Sequence, residues 1–207
     1  IVNNVWRRGE RVWDTNSFFQ GSFVKEVNDQ FKTQVNAKYA FYRTHYVNND
    51  DKLIEVDNLY KQREVYVSTA NMYTIFPFWD VSMSYDFQWN EMKADMYGFV
   101  FPTRFTNLLS IATALRLGKV KLQGSGLATF VNDRVKEGPA PKARQILTPA
   151  VFLSYKPFDK HDFSLRAFYK KTFRMPTFND LYYADMGNSK LDPEYVTQYN
   201  LGTVYQK

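Results

Sequence analysis

The chain contains no cysteine and only two histidines, His45 and His161. Disulfide scaffolds, thiolate-bound zinc and cysteine nucleophiles are excluded, and a histidine-rich metal site or proton relay is not expected. No apolar run approaches the ~18–20 residues of a spanning helix, and mean hydropathy is −0.48. A helical membrane protein is ruled out. A membrane β-barrel is not, because its alternating strands average out in any hydropathy window. The first residue is Ile1, and no basic segment leads into an apolar core, so no signal peptide is read. The expectation is a chain cut from something longer, or one whose leader is gone. Net charge is +6, but the 27 Lys and Arg are interleaved with 21 acids. Clusters no longer than Arg7-Arg8 or Lys170-Lys171 make no stripe for nucleic acid, which is not expected as a partner.

Aromatic residues are abundant: 18 Phe, 15 Tyr and 4 Trp among 207 residues. Many fall on a period of two. From Trp79 to Asn90 the residues Trp79, Val81, Met83, Tyr85, Phe87 and Trp89 share one face. Asp80, Ser82, Ser84, Asp86, Gln88 and Asn90 share the other, as in a strand with one apolar side. The same rhythm starts at Phe105, near Phe163 and near Tyr195, and more weakly over 17–27, 31–46, 62–76, 119–132 and 143–156. No helical period persists. The reading is all-β: an antiparallel up-and-down meander of about nine long strands, many beyond the ~5–6 residues of a globular strand and near the ~9–11 that span a membrane.

The connections carry a second pattern. Short ones are read near Asn28-Asp29, Phe76–Asp80, Gly118 and Pro157–Asp162, and long ones near 47–61, 90–104, 132–144 and 174–194. Strict short–long alternation is the habit of outer-membrane barrels, with tight turns on one side and long loops on the other. Aromatics gather at the strand ends, as in interfacial girdles: Phe76, Phe78, Trp79, Trp89, Tyr97, Phe99, Phe101, Tyr155, Phe158, Tyr182 and Tyr183. Most prolines fall in connections. Pro149 is the exception and predicts a bulge or an irregular edge.

From Ser164 to Tyr205 the chain reads Phe173-Arg174-Met175-Pro176, then Asp180-Leu181, then Gly187-Asn188-Ser189-Lys190-Leu191-Asp192-Pro193-Glu194, then Tyr199-Asn200-Leu201-Gly202. This resembles the barrel box of TonB-dependent outer-membrane receptors. Phe173, Arg174, Pro176, Gly187, Asn188, Pro193 and Glu194 are its structural residues here. Pro176 should end a strand, Arg174 should pair with Asp180 or Glu194, and Gly187-Asn188 suits a turn with positive φ. The resemblance implies an internal slice of a 22-stranded transmembrane barrel, with residues 1–207 as partial barrel and the plug and remaining strands absent. Nine strands leave two open edges, so no transport is expected from this piece alone.

The resemblance further implies part of an active transporter in the bacterial cell outer membrane. Such a transporter imports a scarce solute of the ferric siderophore, haem or cobalamin class with TonB-coupled energy. The implied partners are outer-membrane lipid and lipopolysaccharide, an iron- or cobalt-containing small molecule, and TonB through the missing plug alone. Long-loop candidates for ligand contact are Tyr97, Phe99, Arg104, Arg134, Lys136, Tyr182 and Tyr183. Their aromatic rings suit planar groups, and their cations suit either an anionic ligand or lipopolysaccharide phosphate. No catalytic residue, metal ligand or cofactor is assigned. A passive porin or structural barrel is the alternative. A barrel enzyme is a weaker one, since His45 and His161 are expected on opposite sides of the membrane.

Overall fold

The structure, a computed structural model, describes residues 10–48, 55–182 and 187–206. Nine strands follow one another: β1 (Glu10–Asn28), β2 (Phe31–Asn48), β3 (Val56–Phe76), β4 (Trp79–Ala94), β5 (Thr103–Leu117), β6 (Val120–Arg134), β7 (Arg144–Tyr155), β8 (Asp162–Arg174) and β9 (Glu194–Gln206). Each pairs antiparallel with the next in one sheet of order β1 to β9, and among the described residues no pairing joins β9 to β1. A single short helix, α1 (Phe178–Tyr182), lies between β8 and β9 among the described residues.

The meander and its rhythm of turns agree with the sequence reading, but several strands run further. β1 starts at Glu10 rather than near residue 17, β3 at Val56 rather than 62, and β4 continues to Ala94 rather than ending at Asn90. These extensions carry polar residues on both faces, among them Asp14, Asn16, Asn58, Lys61 and Glu91. Alternation fades there while the ladder hydrogen bonds continue. The long connections shrink accordingly to 49–55, 95–102, 135–143 and 175–193. Arg104 and Arg134, expected in loops, therefore stand on strand ends.

The ladder sorts side chains into two faces. Tyr39, Val67, Phe87, Leu109, Ala128 and Leu153 share one, and Lys38, Ser68, Gln88, Leu108, Thr129 and Ser154 share the other. The apolar side of β4 runs from Trp79 to Trp89. At about 3.3 Å per residue and a tilt of about 40°, that is roughly 25 Å, the height of a barrel's lipid-facing band. Polar groups within the band are paired on the same face. Tyr85 Oη donates to Asn107 Oδ1 at 2.6 Å, and Trp79 Nε1 to Thr113 Oγ1 at 2.8 Å. By the same arithmetic the 21 residues of β3 rise roughly 50 Å. The excess stands on the long-loop side.

Two local expectations resolve. The β7–β8 ladder stops at Ala150↔Lys170, and the next residue up, Pro149, has no N–H to extend it. This is the irregular edge read from the sequence. The turn after the helix is built differently from expectation. Asn188 is not in the left-handed region, which among the described residues is occupied by Gly98, Gly118, Gly138 and Phe101. Instead Asn188 Oδ1 accepts the Lys190 N–H at 2.9 Å and its carbonyl accepts that of Leu191 at 3.2 Å. A carboxamide that mimics a backbone turn removes the need for positive φ.

Candidate ligand chamber

The connection between β8 and β9 folds over the polar face of the sheet. Its seat is Arg104 at the head of β5. The two-residue turn Gly118-Lys119 sets the register that puts Arg104 opposite Asp133 of β6. The guanidinium grips that carboxylate with two bonds, Nε to Oδ1 and Nη2 to Oδ2, both 2.7 Å. The Asp133 side chain is 3% exposed and that of Arg104 12%. Arg104 Nη1 donates to the Pro176 carbonyl at 2.8 Å, and the Phe178 ring lies 5.1 Å from the guanidinium carbon. A planar cation with a fork of donors and a stackable face is suited to hold a carboxylate and a loop at once.

Thr177 and Asp180 cap α1 reciprocally. Asp180 Oδ2 accepts the Thr177 N–H at 2.8 Å, and Thr177 Oγ1 accepts the Asp180 N–H at 3.2 Å. Leu181 is buried beneath. Arg174 reaches both expected partners, Asp180 at 3.5 Å and Glu194 at 4.0 Å. The bond from the Thr177 backbone, its hydroxyl and then Arg174 hold the Asp180 carboxyl below its ordinary pKa. The order this contributes is complete above the ordinary carboxylate range and fades as pH falls through the lowered value. Protection of the Thr177 amide, measured as exchange relative to its intrinsic rate at each pH, should therefore fall in acid, and Asp180→Asn should flatten that pH dependence.

Beneath the loop is a cavity of about 510 Å³. Its wall is Gln62, Glu64, Gln88, Asn90, Met92, Thr106, Leu108, Thr129 and Val131, and its lid is Met175, Thr177, Phe178 and Asn179. Phe173 joins the lining where β8 has parted from β7. Glu64 is held by Lys38 at 3.0 Å and by Gln88 at 3.3 Å. Thr129 Oγ1 and Tyr182 Oη are buried with no hydrogen-bond partner among the described residues. Burial, with the Asp133 charge adding to it, pushes the Tyr182 phenol up to about 12. It stays a neutral donor at any physiological pH.

A family model described as TonB dependent receptor-like, beta-barrel matches residues 2–207. The chain belongs to the TonB-dependent receptor family. No curated protein matches it by sequence. Among solved structures it resembles the copper transporter OprC, with TM-score 0.80, 15% identity, 97% of this chain covered and 38% of that one. The unliganded ferric citrate transporter FecA gives TM-score 0.68, 13% identity, 97% of this chain and 33% of that one. BauA, the ferric preacinetobactin receptor from Acinetobacter baumannii, gives 0.55, 14% identity, 94% and 35%. At such identities the likeness concerns the fold. The chain spans about a third of these proteins' lengths.

On this TonB-dependent receptor barrel the sequence-read candidates separate. Arg104 lines the chamber but is occupied by Asp133 and the loop, and Tyr182 is buried near that pair without lining the cavity. Phe99 is buried and packs edge-on against Phe101 at 5.4 Å, and Lys136 Nζ lies 5.4 Å from the centre of the Phe101 ring. Tyr97 is fully exposed at the loop tip. Arg134 is on the apolar face, 5.3 Å from the Phe105 ring, and does not share the chamber. Tyr183 lies outside the described residues. Of the box, Pro176 supplies the carbonyl bound by Arg104, Phe173 lines the chamber, Asn188 builds the turn, and Pro193 is buried beside exposed Glu194. Sequence reasoning missed Asp133 and Gln62, and it read Gln88 and Asn90 on the polar face without assigning them to a site. Counting outward from the Gly118-Lys119 turn would have found Asp133. The inward fold of the loop had no sequence signal.

Proposed function

We propose that this chain forms one wall and a loop lid of the ligand chamber of an active importer in the bacterial outer membrane. The plug and remaining strands would belong to the same protein. The observation that carries the reading is the β8–β9 loop, folded over the polar face and anchored to Arg104 and Asp133 above a cavity of about 510 Å³. Amide, hydroxyl, thioether and aromatic groups around that cavity suit a bulky metal-bearing chelate of the siderophore, haem or cobalamin class. The similar structures are transporters of copper and of ferric citrate and a receptor for ferric preacinetobactin, and this supports a metal-bearing cargo. TonB would supply energy by acting on the plug.

The test is uptake by the full-length protein in cells, with ferric citrate, haem and cyanocobalamin as probes. Deleting residues 177–190 should cut uptake of the transported probe at least tenfold while the barrel still assembles. Removing TonB should abolish it. Entry that persists without TonB and is indifferent to the deletion would favour the passive-porin alternative.

A further inference from the structure

A second space adjoins the chamber, and Gln62, Met92 and Asn179 line both. It measures about 330 Å³ and lies on the same polar face, toward the long-loop ends of β1, β2 and β3. The ladder shapes it. Thr44 of β2 stands directly opposite Asp14 of β1 on one side and Tyr60 of β3 on the other. Tyr42 and Tyr46 lie two residues to either side of Thr44 and share its face. A small residue is thus flanked on three sides by phenol rings, and Val12 stands opposite Tyr46. The rings are anchored at their tips. Tyr46 Oη donates to Glu10 Oε1 at 2.9 Å, Tyr60 Oη donates to Met96 Sδ at 2.9 Å, and Tyr42 Oη accepts from Lys38 Nζ at 3.4 Å. Rings held by their hydroxyls keep their π surfaces for an occupant.

The charge around this annex has one sign. Glu10 and Asp14 share the face of Val12, one on either side of it. Asp14 Oδ1 accepts the Thr44 hydroxyl at 2.6 Å, and neither carboxylate has an ion-pair partner among the described residues. No Lys or Arg lines the space. Lys38, which reaches Tyr42, is spent on Glu64 at 3.0 Å. A further acceptor stands unused. Asn48 is on the same face, two residues beyond Tyr46 and opposite Glu10. It is 6% exposed, and its Oδ1 is buried with no hydrogen-bond partner among the described residues. A buried acceptor left alone is costly and calls for a donor.

We propose that the annex receives a primary ammonium group, carried by an arm of the cargo whose body fills the chamber. Aromatic faces attract a cation through their quadrupole, and more strongly where water is excluded. The carboxylates of Glu10 and Asp14 match its charge. Its three N–H donors are enough to serve the Asn48 carbonyl as well. An anionic arm would instead meet two unmatched carboxylates. Assigning the ammonium to a cargo rests on the importer reading; the affinity of the annex for an ammonium does not.

The experiment uses the full-length protein in detergent at neutral pH. It compares n-butylammonium with n-butanol, a pair alike in length and different in charge, with binding read by saturation-transfer NMR. The ammonium should bind at least tenfold more tightly. Glu10→Gln/Asp14→Asn should remove that preference, and Tyr46→Leu should reduce it at least threefold. Both acids are exposed, so the double variant should keep the fold. Asp57→Asn, on the opposite face and paired with His45, should leave the preference intact. No preference in the wild type, or a preference that the double variant keeps, would overturn the annex. Binding is read without transport, so that result leaves the importer standing. Uptake that persists without TonB would overturn the importer, and the cargo arm with it, and leave the ammonium site in the wall of a pore.

Discussion

Arg104→Ala will free the β8–β9 loop and cost the barrel about 3–5 kcal/mol, because it strands a buried carboxylate. Asp133 is 3% exposed and both of its oxygens are bound by Arg104. Nothing else in the described structure bonds it. Asp133→Ala should cost a similar amount by leaving the guanidinium without its anion. The pair itself adds little net stability, since desolvating two charges offsets most of their attraction. Arg104→Met/Asp133→Leu should therefore recover much of the loss. It should not recover the loop, because the Pro176 carbonyl then has no donor. Two measurements separate these effects in the full-length protein: the urea midpoint from lipid vesicles, and protease cutting after Arg174 or Lys190. The singles should fall in both, and the double variant mainly in the second. A double variant as unstable as the sum of its singles would show that the two residues act independently.

The part of this arrangement legible in sequence is the part fixed by local pattern. Trp79–Trp89 announces its faces because side chains alternate and one face is wholly apolar. Two-residue turns at Pro77-Phe78 and Gly118-Lys119 then set register for the strands on either side. The turn at Pro77-Phe78 hides a one-residue shift between Thr74 and Phe76, so the pairing of β3 with β4 could not be counted from it. Where β1, β3 and β4 leave the apolar band, both faces are polar, and periodicity ceases to report a ladder that backbone hydrogen bonds keep intact. The lid illustrates the other limit. Phe173, Arg174 and Pro176 mark where a strand ends. The direction the chain takes next depends on Arg104, many residues away, whose fork is satisfied only when Pro176 and Phe178 come to it.

Exposure alone does not tell a wet sheet from a lipid-facing one, and a pair of matched substitutions does. Ile111 and Leu117 are on the apolar face of β5, exposed by 54% and 55%. They differ in depth. Ile111 pairs with Met83, midway along the Trp79–Trp89 band, while Leu117 abuts the Gly118-Lys119 turn. In a bilayer, Ile111→Arg should cost about 2–4 kcal/mol and Leu117→Arg about 0–1, because the penalty for a cation falls from midplane to interface. In water, equal exposure would make the two nearly equal and small, since surface changes away from special features stay within about 0.5 kcal/mol. Urea unfolding of the full-length variants from phospholipid vesicles reads the difference directly. A gap of 2 kcal/mol or more would place Ile111 in hydrocarbon, and with it the face shared by Tyr39, Val67, Phe87 and Leu109. Matching losses would leave that face in water. The lid would then close over a groove instead of a lumen.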